Sequence, residues 1–519
     1  MSEKLQTLPI GVQSFAKLRE MGHLYVDKTA RLQELVTTGN CFFLSRPRRF
    51  GKSLTLSTLD AMFSGRVELF EGLAAEEWVA RQAERPSPVL RFDMSQMDTS
   101  DVKQLSSSLS ETLQRQARDA EIDLASQTLV GMLQDIIIDL YRRHGPIVVL
   151  IDEYDKPILD HISDVDAAEA MRGVLRSFYT VLKGCDEYLR FVMLTGISKF
   201  SKAGVFSAMN NLRDISMSES YGDIVGYTQA ELDEAFSGWI DAMVEKMGSP
   251  RTDLLERIKA YYDGFCFDGA TRLYCPFSML NFFADGKFAN HWYRSGSPSF
   301  IVKYMRRHSI QDPDAYRHIE VDQDFADAHE IERARPESFL YQAGYLTIEK
   351  WEGRAITLDY PNREVLDSIS RVYLEMVYRV EGYVTLGSKL WTALRDGDIG
   401  EAVRLYDVAL AGIPYQDFGK QDEFLYRSLF LMLLRGAGVE AYGEVQTSRG
   451  RPDVLILFAD RVVVLEFKFT KDGSKIAELR REGERQIEAR GYARPFDADR
   501  RAVTTAVIVI DGEEHEAVL

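Results

Sequence analysis

Cys41-Phe42-Phe43-Leu44-Ser45-Arg46-Pro47-Arg48-Arg49-Phe50-Gly51-Lys52-Ser53-Leu54-Thr55-Leu56 is the stretch on which the reading turns. Cys41 to Leu44 is short and continuously apolar, which suits a strand buried on both faces, and a helix-compatible run begins at Leu54. A strand, a basic loop ending in Gly-Lys-Ser and a helix bring main-chain N–H groups and a helix N-terminus to one point, which is how phosphate is held. In such a loop Gly51 lets the backbone face the anion, Lys52 reaches the β and γ oxygens of ATP, and Ser53 can ligate Mg²⁺. The Walker A pattern would have a glycine where this chain has Arg46. Arg49, Phe50, Gly51, Lys52, Ser53 and Leu54 are the expected nucleotide contacts.

Further along, Val89–Asp93, Ile147–Ile151 and Phe191–Thr195 read as three more buried strands, with helical stretches between them. Alternating strands and helices of this kind predict an α/β fold with a parallel sheet. The third strand runs into Asp152-Glu153, a Walker B pattern with Asp152 on the Mg²⁺ and Glu153 as the catalytic carboxylate that orients water. Thr195 ends the fourth strand, where a polar sensor of the γ-phosphate would sit. Asn210, Asn211 and Arg213 follow in a polar loop that could face the same cleft. From about Glu231 to Arg395 the pattern is mostly helical and its chemistry is not legible. The expected division is therefore 1–230 for the nucleotide domain, 231–400 for a helical lid or connector and 401–519 for a last unit.

That last unit follows Asp422 in the order α-β-β-β-α-β. Asp453, after Gly450-Arg451-Pro452, opens one strand, and Glu466-Phe467-Lys468 lies within the next. Residues two apart in a strand share a face, so Glu466 and Lys468 project together while Phe467 turns to the core. A hairpin around Ala459-Asp460-Arg461 would set Asp453 across from Glu466. Two carboxylates and a lysine there could hold Mg²⁺, activate water and stabilise charge on a scissile phosphate. The bland alternative is a solubilising Glu/Lys pair on an edge strand.

Tyr25-Val26-Asp27-Lys28-Thr29, the loop Arg46–Ser53, Leu150–Pro157 and Leu194–Phe200 resemble a bacterial AAA-ATPase-like family, and so do Asn281-Phe282-Phe283, Tyr341–Thr347 and Tyr360–Val365. The resemblance covers nearly the whole chain. It implies an AAA-like P-loop NTPase domain in which the missing first glycine is usual, followed by a C-terminal PD-(D/E)XK nuclease-type domain. Pro452-Asp453 and Glu466-Phe467-Lys468 match the nuclease motif, which makes Asp453, Glu466 and Lys468 catalytic and the two acids metal ligands. Gln486 and Tyr492 match accessory positions, and Glu423 could add a third acid.

Composition narrows the partners. The 519 residues carry 63 Lys+Arg against 80 Asp+Glu, a net charge of -17, so no general wrapping of nucleic acid is expected. Arg461–Arg501, with eleven basic and eight acidic residues, reverses the sign locally and favours a phosphate-backbone contact there. Four scattered cysteines suit a reducing cytoplasm, and no apolar run is long enough for a membrane. The expectation is a cytoplasmic ATPase fused to a Mg²⁺-dependent nuclease, contacting DNA before RNA, with a homo-oligomer left open. Its rivals are a single-activity enzyme whose nuclease-like domain only binds nucleic acid, and a nucleotide-dependent switch or scaffold.

Overall fold

The computed structural model describes residues 5–199, 211–294, 299–307, 312–326, 334–414, 418, 421–443, 450–458, 460–496 and 501–519. Two compact units arise, one of Met1–Arg307 with His318–Glu364 and one of His308–Arg317 with Val365–Leu519. Among the described residues no helix is long and apolar enough to cross a membrane. All four cysteines are buried and free.

The first unit contains a parallel sheet of β1 (Cys41–Ser45), β2 (Val89–Asp93), β3 (Ile147–Asp152), β4 (Leu189–Gly196) and β5 (Arg213–Asp214), in the order β2-β3-β4-β1-β5. The sequence reading places the first four. Only two residues long, β5 leaves no pattern to read. The unbroken apolar run of β3 is buried along its whole length, as a strand covered on both faces requires. Helix α1 (Lys52–Phe63) packs against β3 and buries Leu56, Leu59, Met62 and Phe63. Because β1 and β3 both border β4, the loops leaving their C-terminal ends are neighbours, and ligands bind at such strand ends in open α/β sheets.

The same unit includes helix α2 (Pro276–Asp285), which starts with proline at its first position, where the absent N–H is not missed. A small antiparallel sheet of β6 (Ile319–Asp322), β7 (Thr347–Glu352) and β8 (Ala355–Asp359), in the order β6-β8-β7, lies in the stretch read from sequence as helical. A register shift between Ile348 and Lys350 interrupts the alternation of β7, which hides the strand period.

The second unit has a mixed sheet of β9 (Ala441–Gly443), β10 (Val454–Leu457), β11 (Arg461–Thr470), β12 (Ala502–Asp511) and β13 (Glu516–Val518), ordered β13-β12-β11-β10-β9. Helices α3 (Glu423–Gly436) and α4 (Ile476–Arg490) complete the expected α-β-β-β-α-β order. Ala459 of the expected turn lies outside the described residues.

Candidate functional sites

Between β1 and α1 the main chain turns sharply, with positive φ at Arg49 (72°) and Gly51 (95°). Gly51 precedes the helix in the left-handed region, so any residue with a Cβ would be strained there even though no atom lies close by. The turn delivers Lys52 and Ser53 to the first turn of α1. Lys52 is 6% exposed, and its Nζ donates to the carbonyls of Arg46 (2.8 Å) and Pro47 (3.0 Å). Burial pushes its pKa down, opposed by Glu153, Asp152 and Asp155.

A cavity of about 450 Å³ opens onto this turn. Among the described residues, Arg48, Arg49, Lys52 and Lys156 line it with a single acid, Glu153, and Gly51, Ser53 and Leu54 share the wall. Four cations facing one carboxylate suit a polyanion. Apolar and aromatic groups form much of the rest: Pro9, Val12, Tyr227, Phe277, Leu280, Trp292 and Tyr345. Arg49 stacks over the Phe277 ring at 4.9 Å, and Trp292 Nε1 donates to the Arg48 carbonyl (3.2 Å). Sequence reasoning missed this wall, and the proline-started helix at Pro276-Phe277 was the one local signal of it.

Phe50 and Asp152, both read as nucleotide-contacting, do not line the cavity. The Phe50 ring packs edge-on against Phe265 and Phe267, which leaves only its main chain for a ligand. Asp152 is buried at the end of β3, where its Oδ1 accepts from Thr195 Oγ1 (2.6 Å) and from the Glu153 N–H (3.1 Å). Thr195, fully buried, thus holds the Walker B carboxylate. Glu153 adopts φ 48°, a conformation costly for a residue other than glycine and typical of sites that need it. Burial raises its pKa. Asp155 fastens the same turn to the end of β4, since its Oδ2 accepts from the N–H groups of Ile197 (3.0 Å) and Ser198 (2.7 Å).

Asn211 and Arg213 do not face this cleft. β5 runs parallel to β1, so Asn211 precedes its N-terminal end, away from the loop, and donates to Asp186 (3.4 Å). Arg213 lies over Phe42 and Tyr221. Asn210 is outside the described residues.

Arg46 replaces the first Walker A glycine with a strut. Arg46 is 1% exposed, and its guanidinium lies 4.4 Å from the Phe267 ring centroid and donates to the carbonyls of Ser45 (2.9 Å) and Ser216 (2.6 Å). Burial pulls its pKa down to about 10, which still leaves it charged at neutral pH. Restoring the glycine by Arg46→Gly should therefore lose on the order of 3 kcal/mol of stability, since hydrogen bonds from charged groups contribute about 1.5–3 kcal/mol each. Chemical denaturation would measure it, and an unchanged or higher midpoint would remove the strut.

In the second unit β10 and β11 pair antiparallel with Val454 opposite Leu465, so the next rung sets Asp453 opposite Glu466. β11 is the central strand of its sheet, not an edge, and the solubilising reading of Glu466 and Lys468 falls with that. Glu466 is 2% exposed and Lys468 8%, joined Nζ to Oε1 at 3.0 Å. Gln486 of α4 also donates to Glu466 Oε1. The other oxygen, Oε2, is buried without a hydrogen-bond partner. Burial, with Asp453 nearby, pushes the Glu466 carboxyl up to about 7. Burial raises half-buried Glu423 too. Burial acts to lower Lys468, but its carboxylate neighbours outweigh that and raise it. A buried carboxylate with an orphaned oxygen fits a cation.

Asp453 is already engaged. Its Oδ2 accepts from the Phe467 N–H (2.7 Å) and its Oδ1 from Nη1 of Arg427 (3.0 Å), a residue that sequence reasoning passed over. Arg427 stands one helical turn after Glu423 on α3, and that Glu-x-x-x-Arg spacing was the available signal. Tyr492 instead joins the apolar core with Leu455, Val464 and Ile487. The basic residues of α4 are largely solvated, Arg480 pairing with Glu484 (3.3 Å).

Comparison with known proteins matches residues 9–206 to the family described as predicted AAA-ATPase and residues 421–518 to the PD-(D/E)XK nuclease superfamily. A protein of Azotobacter chroococcum mcd 1, described as an uncharacterized protein in the vnfD 5'region, is 33% identical over 507 residues, covering 95% of this chain and 94% of its own. The chain belongs to this AAA-ATPase-like family. Its fold is α/β, a P-loop parallel sheet in the AAA-ATPase-like part and a PD-(D/E)XK-type mixed sheet at the C-terminus. Two Aeropyrum pernix structures also align. One is the ORC1 protein in complex with DNA (11% identity, TM-score 0.26, 82% of this chain and 88% of that one). The other is the ORC2 protein with ADPNP and ADP (13% identity, TM-score 0.28, 80% and 85%). Scores this low carry no inference about the AAA-ATPase-like protein.

Proposed function

We propose that the protein binds and hydrolyses ATP in its AAA-like domain and cuts nucleic acid, DNA before RNA, at a metal site in its C-terminal domain, with ATP state controlling or positioning the cut. The observation that carries the nucleotide half is the cavity at the Gly51-Lys52-Ser53 turn, lined by four cations and one acid. In this reading Lys52 and the loop N–H groups hold the phosphates, and Ser53 and Asp152 hold Mg²⁺, which would neutralise charge on the β and γ oxygens. Thr195 fixes the rotamer of Asp152, and Glu153 orients the attacking water. In the C-terminal domain Asp453 and Glu466 would hold the metal, and Lys468 would face the scissile phosphate. The division into 1–230, 231–400 and 401–519 is kept as the functional one, and a cytoplasmic location goes with it.

Measuring Mg²⁺-dependent ATP turnover with and without DNA, beside cleavage assays on DNA and RNA panels with ATP present or absent, tests the whole reading. Absence of both activities would leave the switch or scaffold. Glu153→Gln separates binding from hydrolysis. It should keep ATP affinity within about threefold and lower kcat by on the order of 10²–10⁴, the usual contribution of a positioned base. Equal loss of affinity and turnover, in calorimetry and a phosphate-release assay, would make Glu153 structural.

A further inference from the structure

Three acids, Asp453, Glu466 and Glu423, meet two cations, Lys468 and Arg427, in the buried end of the β10-β11 pair. Lys468 is spent on Glu466 Oε1, and Arg427 on Asp453 Oδ1. Arg427 is 5% exposed, with its guanidinium 4.9 Å from the Phe424 ring centroid. Each Asp453 oxygen thus already accepts one hydrogen bond, one from a main-chain N–H that strand pairing fixes and one from a side chain. Glu466 Oε2 is buried with no hydrogen-bond partner. Among the described residues Asp453, Glu466 and Glu423 do not bring ligand oxygens within 4.8 Å of one another, so this packing holds no ready-made triad.

We propose that Arg427 is an internal counter-cation of Asp453, a latch that a divalent ion must displace before Asp453 can ligate it. The proposal rests on the reading of Asp453 and Glu466 as metal ligands and adds a resting state to it. Electrostatics supports the exchange: a divalent ion on Asp453 Oδ1 would sit beside the guanidinium that already holds that oxygen, and like charges confined in low dielectric repel strongly. Moving Arg427 off Asp453 removes one of them and frees Oδ1 at the same time. A second carboxylate is at hand for the displaced guanidinium. The charge of Arg427 already acts on half-buried Asp312, whose Oδ2 is buried without a hydrogen-bond partner. Arg427 is therefore a positioning residue that sets the metal affinity of the site.

Mn²⁺ titration of the full-length protein by calorimetry tests this without any cleavage assay. Wild type, Arg427→Gln and Asp453→Asn are compared, the last reporting ions bound elsewhere. Wild type should bind one ion more than Asp453→Asn, and Arg427→Gln should bind that ion at least about tenfold more tightly. Equal or weaker binding by Arg427→Gln, with the extra ion still present in wild type, overturns the latch and leaves the metal reading intact. No extra ion in either protein overturns both. Should Arg427→Gln fail to fold, a structure of the wild-type protein soaked in Mn²⁺ decides. The ion on Asp453 with Arg427 withdrawn supports the latch, whereas the ion on Asp453 with Nη1 still in hydrogen-bonding distance refutes it, as does a site that takes no ion.

Discussion

Lys52→Ala should weaken MgATP binding by between one and four orders of magnitude. The ammonium sits 2.8 Å and 3.0 Å from the carbonyls of Arg46 and Pro47, at the wall of a cavity whose other charges are Arg48, Arg49, Lys156 and Glu153. Its desolvation is therefore already met by the fold, and bound phosphates would exchange neutral carbonyl acceptors for charged oxygens, a stronger class of hydrogen bond. Truncating one partner of a buried, hydrogen-bonded charge pair costs about 2–5 kcal/mol, and each 1.4 kcal/mol is tenfold. Lys52→Arg keeps the charge and should fall between the two, since a planar fork does not fit the space of an ammonium. Calorimetric titration of all three proteins with MgATP measures the series. Wild-type affinity in Lys52→Ala would take the loop out of the site.

How much of this site the sequence held depends on how local its parts are. Strand, loop and helix around Lys52 are consecutive, and a continuous apolar run followed by Gly-Lys-Ser leaves few other readings. Asp152 and Glu153 were legible because a buried strand that ends in acids must present them at the sheet edge where the loops gather. Parts assembled from afar were not legible. Tyr227, Phe277, Trp292 and Tyr345 reach the cavity from separate segments, and each looks locally like an ordinary core aromatic. The functions of Thr195 and Arg46 are set by partners on other elements, Asp152 in one case and Ser216 and Phe267 in the other.

The C-terminal site shows the same division. Register across β10 and β11 followed from hairpin geometry, and Val454 opposite Leu465 carries Asp453 to the rung of Glu466. What a single strand could not reveal is its place in the sheet. Glu466 and Lys468 on an edge would be solvated surface, but β11 is central, and there the same residues are a buried ion pair. Arg427 was hidden for a related reason. On a helix as apolar as α3 an arginine reads as surface, and only its packing reveals that Arg427 points inward to Asp453.

Lys468→Ala should lower cleavage by on the order of 10²–10³ while changing nucleic-acid affinity less than about threefold, because removing one electrostatic group aimed at developing charge costs that much in rate. Backbone affinity sums over several phosphates, so a single cation among the eleven between Arg461 and Arg501 contributes little to it. Lys475→Ala is the control. Lys475 is 60% exposed and pairs with Asp472 at 3.7 Å, so its loss should leave the rate unchanged. The structural consequence has to be separated from the catalytic one, because Lys468 also supports Glu466, whose carboxyl burial already pushes up to about 7. Without the lysine that carboxylate is costlier still, so Lys468→Ala should lose stability as well as rate. Lys468→Gln keeps a hydrogen bond to Glu466 but not the charge. If Gln restores stability and leaves the rate at the alanine level, the lysine acts on the reacting phosphate. Recovery of the rate along with stability would make it a support for Glu466, and wild-type cleavage in all three variants would dismiss Lys468 from the chemistry.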